Sequence, residues 1–132
     1  DYTRADLGTS AASSAAVNPA GSDIVSIAMS LTGIPYVYGG STPAGFDCSG
    51  FTQYVYARAG ISISRTFGAQ GAAGTFVSAS AARPGDLVWH AYGDVGIYAG
   101  NGSVVDATTP GSVSKVQPLW GNYSFVGYGV FV

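Results

Sequence analysis

The sequence predicts an α+β domain: helices first, then a mostly antiparallel sheet packed against them. Three observations predict it. Ile24, Ile27, Ala28 and Leu31 recur at helical spacing near the start, and a second helical stretch fits residues 48–59. Beyond Arg83-Pro84-Gly85 the texture changes to short runs rich in Val, Tyr, Phe and Trp. Asn101-Gly102 between two such runs is a strong hairpin-turn signal.

Residues 1–21 carry Ala-Ala-Ser-Ser-Ala-Ala and Asn18-Pro19 without sustained periodicity, so they read as an N-terminal arm or strap. The domain proper then spans 22–132. Ser22 is the expected N-cap of the first helix, Gly33 its C-cap, and Pro35 stops continuation. A glycine-rich loop, Gly39 to Gly45, follows. In the second helix Phe51, Val55 and Ala59 share a stripe, Asp47 is the N-cap, and Gly60 lies just past the end. Residues 61–82 are Ser/Gly/Ala-rich, with one short helix around Phe67–Ala72. Strands are expected at Leu87–Trp89, Val95–Tyr98, Val104–Asp106 and Phe125–Phe131. Residues 86–90 and 94–98 should form a hairpin through Ala91-Tyr92-Gly93.

At 132 residues the chain fits one domain with a real core. Only 9% of residues are charged, far below the roughly 25% of an average soluble domain. The charges are four Arg, one Lys and seven Asp, with no Glu. A net charge of −2 leaves no phosphate-binding footprint, so neither nucleic acid nor anionic membrane is expected as a partner. No apolar run is long enough to span a bilayer. One Cys excludes an internal disulfide, and one His makes a zinc site improbable. No metal or cofactor is expected, and a monomer is.

A lone Cys is either a buried small hydrophobe or a reactive thiol. Cys48 falls at the first turn of the second helix, directly after its cap. Unpaired amides and the positive end of the helix dipole favour a thiolate there. Gly45 and Gly50 would keep its surroundings thin enough for a substrate backbone to approach.

Five segments then occur in order: Pro35-Tyr36-Val37-Tyr38-Gly39-Gly40, Phe46-Asp47-Cys48-Ser49-Gly50-Phe51, Arg65-Thr66, Pro84-Gly85-Asp86-Leu87-Val88 and Val95-Gly96-Ile97-Tyr98-Ala99-Gly100-Asn101-Gly102. The ordered set resembles the NlpC-type family of bacterial cell-wall cysteine peptidases over about residues 22–130. The resemblance implies a papain-like core and a secreted or cell-wall-associated protein of bacterial origin. It implies cleavage of peptidoglycan stem peptides, typically between D-γ-glutamate and a diamino acid. By position it makes Cys48 the nucleophile. It sets Tyr36, Asp47 and Ser49 at the substrate end of the groove, and Arg65 and Thr66 beside the Cys.

The chain departs from the family pattern where the general base should stand. The family keeps a His immediately before Val-Gly-Ile-Tyr; this chain has Asp94. The third polar residue, near the end of the next strand, is Asp106. A carboxylate titrates too low to take a proton from a thiol, and it raises the thiol pKa. The one imidazole is His90. If residue 90 pairs with residue 94, both side chains share a face, and a relocated dyad of Cys48 and His90, oriented by Asp94 or Asp106, is geometrically allowed. A one-residue slip would end that idea and leave His90 an exposed hairpin corner. Two functions therefore stand open: a cysteine endopeptidase, or an inactive peptidoglycan-binding module on the same fold. Trp89 and Trp120 read as core anchors, and Arg58 as solvent-facing. Tyr54, Tyr56, Tyr92, Tyr98, Tyr123 and Tyr128 read as packing or rim residues.

Overall fold

The structure, a computed structural model, describes residues 20–90, 93–119 and 122–128. The Trp120 reading, the loop at Ala91 and Tyr92, and most of the N-terminal arm lie outside the described residues.

Helix α1 spans Gly21–Ser30 and buries Ile24 and Ala28. It begins one residue before the expected Ser22 cap. Ala20 takes the cap position in an extended conformation, with no side chain bonding the free amides. Ser22 therefore sits inside the first turn, and residue 21 belongs to the helix. Leu31 is the C-cap, and Gly33 follows with φ +83°. The glycine-rich loop is more ordered than expected. It carries a two-strand ribbon, β1 (Ser41–Thr42) against β2 (Gly45–Phe46).

Helix α2 spans Cys48–Arg58, one residue shorter than the sequence suggests. Asp47 caps it as expected, its carboxylate accepting from the Gly50 amide at 2.6 Å. The helix buries Phe51, Val55 and Tyr56 and leaves Arg58 exposed. Helix α3, Phe67–Ala73, is capped by Thr66, whose Oγ1 accepts from the Ala69 amide at 3.3 Å.

Six antiparallel strands follow: β3 (Thr75–Val77), β4 (Leu87–His90), β5 (Asp94–Gly100), β6 (Ser103–Asp106), β7 (Lys115–Pro118) and β8 (Tyr123–Gly127). Their spatial order is β3-β8-β4-β5-β6-β7. Asn101 and Gly102 turn the β5–β6 hairpin with φ of 52° and 74°. The last strand starts two residues earlier than expected, and residues 129–131 lie outside the described set. Strands β3 and β7 were not expected, and both are sheet edges.

Alternation sorts the sheet residues by face. Leu87, Val95, Ile97, Val105 and Val126 pack with Phe51, Val55, Ile24 and Ala28 into the main core under the helices. Val88, Val104 and Phe125 form a smaller cluster on the other face. Each fully buried aliphatic or aromatic side chain in the main core contributes roughly 1.5–3 kcal/mol. Trp89 does anchor α3: its ring stacks on Phe67 at 4.5 Å and its Nε1 donates to the Phe67 carbonyl. Tyr56 is wholly buried and donates to the Gly85 carbonyl, fixing α2 to the start of β4. Among the described residues, no helix is long and apolar enough to cross a membrane.

Candidate active site

Cys48 is the first residue of α2 and is half-buried. Its thiol donates to the Gly93 carbonyl at 3.6 Å and accepts from the Val95 amide. The helix end does not leave it acidic, as the sequence alone suggested. Burial pushes the thiol up to about 11, and the carboxylates of Asp94 and Asp47 push the same way. The Val95 and Ser49 amides offset only part of this. Desolvation and like charge outweigh the helix dipole here.

The thin surroundings expected from two glycines are filled by the chain itself. A Cβ at Gly50 would lie 2.0 Å from the Gly40 carbonyl oxygen, and one at Gly45 would lie 2.2 Å from Val37 Cγ2. Gly50 admits the Gly40 backbone and Gly45 the Val37 side chain; neither opens room for a substrate.

Asp94 is the first residue of β5, and its carboxyl meets the Cys48 thiol. Burial raises the Asp94 pKa, while His90 and the thiol hydrogen bond lower it. His90 pairs with Asp94 across β4–β5, in the register that puts both side chains on one face. It is not an exposed corner: its relative exposure is 0%. Its neighbours are Asp94 on one side and the Tyr123 ring, at 6.1 Å, on the other. Burial lowers its pKa, against the pull of Asp94 and a hydrogen bond with the Asn122 backbone. The connected order is thus Cys48, Asp94, His90.

Asp106 closes β6 and lies opposite Gly96, one step along the face from Asp94. A Cβ at Gly96 would stand 2.8 Å from the Asp106 Cβ, so only glycine admits the carboxyl. Burial drives Asp106 up to about 6, with Asp94 adding to the rise. Gln117 Nε2 donates to both of its oxygens, at 2.7 and 2.9 Å.

Three of the remaining expected site residues, Asp47, Ser49 and Arg65, form a brace around the first turn of α2. Arg65 donates to Asp47 Oδ2 at 3.0 Å, to Ser49 Oγ at 2.9 Å and to the Gly40 carbonyl at 3.3 Å. Burial alone would raise the Asp47 pKa, but Arg65 and the Gly50 and Gly39 amides hold it below its ordinary value. Ser49 is nearly enclosed, so its hydroxyl serves this brace. Thr66 caps α3 and is otherwise exposed. Tyr36 lies within electrostatic reach of Cys48, Asp47 and Asp94, and burial and those charges raise its pKa.

Two glutamines escaped the sequence reading. Gln117 holds Asp106, and Gln70 holds the turn that carries Cys48. Gln70 stands three residues after Phe67, on the buried side of a short helix.

The family model described as NlpC/P60 matches residues 33–126. The chain is 46% identical over 112 residues to a protein of Listeria monocytogenes named probable endopeptidase p60, which covers 80% of this chain. It spans only 23% of that relative's length. Among solved structures, the NlpC/p60 domain of the peptidoglycan hydrolase SagA superposes with a TM-score of 0.73 at 40% identity, covering 80% of this chain and 96% of that one. The peptidoglycan hydrolase RipB of Mycobacterium tuberculosis gives a TM-score of 0.73 at 30% identity, covering 83% and 64%. The helix-borne Cys48 facing β5, the papain-like arrangement and these matches agree: the chain belongs to the NlpC/P60 family.

Proposed function

We propose that this domain hydrolyses peptidoglycan stem peptides through Cys48, near the D-γ-glutamyl–diamino acid bond, in a secreted or cell-wall-associated bacterial protein. The observation that carries this reading is the thiol at the first turn of α2, facing the first residue of β5. In the proposed reaction the sulfur attacks the amide carbonyl, and the Cys48 amide stabilises the oxyanion. The thiol proton passes to hydroxide from the solvent, since a carboxylate is too weak a base for it, and the leaving amine takes its proton from water. Water hydrolyses the thioester. A thiol near 11 beside a carboxylate makes this a slow site at neutral pH, with a rate that climbs in alkali.

A second reading is favoured by one observation: a carboxylate, Asp94, and not an imidazole, stands at the start of β5 beside Cys48. On that reading the domain binds wall peptides without cutting them. Purified muropeptides, digested across a pH range beside an active relative, decide between the two. New peptide ends support hydrolysis. Their absence, while the relative cuts the same sample, removes it. Co-sedimentation with cell walls that survives Cys48→Ala, with no new ends from the parent, establishes the binding module instead.

A further inference from the structure

We propose that Gln70 is a positioning residue for Cys48, clamping the first turn of α2 in the orientation that aims the thiol at the Gly93 carbonyl, where β5 begins. This rests on Cys48 being the reactive group, and its test reads the thiol directly, so it stands or falls separately from peptidase activity.

Gln70 is completely enclosed, yet every polar atom of its side chain is used. Nε2 donates to the Ser49 carbonyl at 2.9 Å and to the Ser64 carbonyl at 2.8 Å. Oε1 accepts from Thr52 Oγ1 at 2.7 Å. The amide orientation follows from chemistry: the two carbonyls cannot donate, so the NH2 must face them. The Thr52 hydroxyl has one proton and three acceptors in range. The Gln70 oxygen, at 2.7 Å, is nearer than the Ser49 carbonyl at 3.1 Å or the Cys48 carbonyl at 3.5 Å.

One side chain therefore grips two successive turns of α2, at Ser49 and Thr52, and ties them to Ser64. Ser64 adjoins Arg65, which holds the same turn from the other side through Ser49 Oγ and Asp47. Gln70 is itself fixed from behind, because its own carbonyl accepts from Tyr128 Oη. The thiol lies on the residue directly before Ser49. A rotation of that turn would move the sulfur relative to Gly93, Asp94, Asp47 and Tyr36, the groups that face it. Two of the three Gln70 bonds fall on the first two turns of α2 and the third ties them to Ser64, so together they fix the turn's orientation against the loop before α3.

The experiment is disulfide exchange of the single thiol with dithiodipyridine as a function of pH, in the parent and in Gln70→Met. Methionine keeps the volume and shape and loses all three bonds. Released from the clamp, the turn lets water reach the sulfur, and burial is the main cause of its high pKa. The expected result is an inflection about one unit lower, which is an exchange rate about tenfold faster at pH 8. Gln70→Asn, which stays polar but is one methylene short of Ser49, gives a smaller shift in the same direction. If Gln70→Met gives no cooperative melt, Gln70→Asn decides. An unmoved inflection in a folded variant, whatever happens to its melting temperature, overturns the proposal and leaves Gln70 as packing alone.

Discussion

Replacing Asp94 by histidine tests the central electrostatic argument. In the parent, the thiol near 11 leaves about one molecule in a thousand as thiolate at pH 8. Burial is the leading cause, and the Asp94 charge is the leading electrostatic one. A like charge about 4 Å away in a partly solvated site costs up to about 4 kcal/mol, or roughly three pKa units. Asp94 is only half-buried and burial is the larger cause of the rise, so screening reduces this, and a fall of up to about one unit is expected for Asp94→Asn. Asp94→His should go further, because a protonated imidazole favours the thiolate. Asp106, opposite Gly96 on the same face, is placed to hold that charge.

The first assay is iodoacetamide alkylation against pH. Cys48 is the only cysteine, so the signal has one source. The second is muropeptide digestion at pH 7–8, where a general base in place should add about 10²–10⁴ in rate. Asn should shift the alkylation curve without raising hydrolysis, and His should do both. If Asp94→His melts cooperatively and still alkylates with an inflection near 11, Asp94 does not act on Cys48, and the reasoning fails.

Three further outcomes are expected. Cys48→Ala should abolish any peptide cleavage while wall co-sedimentation and the melting temperature stay close to the parent's. Asp47→Ala removes the α2 cap and an Arg65 partner, and should cost about 1–2 kcal/mol by denaturant melts at pH 7. Because the folded Asp47 pKa lies below its ordinary value, its contribution is present above about pH 4 and disappears as pH falls through the folded value, so parent and variant should converge in acid. Asp106 behaves oppositely: its folded pKa is raised to about 6, so the folded state holds a proton the unfolded chain has released, and stability declines as pH rises from about 4 to 6. Asp106→Asn should match the parent at pH 4 and exceed it at pH 8 by up to about 3 kcal/mol, read from melting temperatures.

The parts of the fold that were legible in the sequence are those written in local chemistry. Asp47 before Cys48 announced α2, and Asn101-Gly102 announced the β5–β6 turn. The β4–β5 hairpin followed from a short loop between two apolar runs, but the sequence left its register open, and the structure pairs His90 with Asp94. What was not legible depends on partners distant in sequence. Strand β7 reads Lys-Val-Gln-Pro and exposes Val116, so no alternation of buried apolar residues marks it. Strand β3 gains its identity only by pairing with β8, some fifty residues on. Ser22 had the right chemistry for a cap but stands one residue inside the helix. The burial of His90 depends on Tyr123 from β8, which the sequence does not place beside it.

The site separates geometry from acid–base chemistry. Its geometry is set by groups outside the reacting line: the Asp47 cap, the Arg65 brace, the Gln70 clamp, and the close approaches at Gly50 and Gly96. All of these are intact in this chain. The acid–base character is set by the side chains facing the thiol, Asp94 first and Asp106 behind it. Asp94 is half-buried at a strand end, and the adjoining Gly93 is exposed, so a larger ring there displaces little of the core. The scaffold should therefore accept histidine at 94 without repacking. A large loss of stability in Asp94→Asn would contradict this separation, because it would make the carboxylate part of the frame.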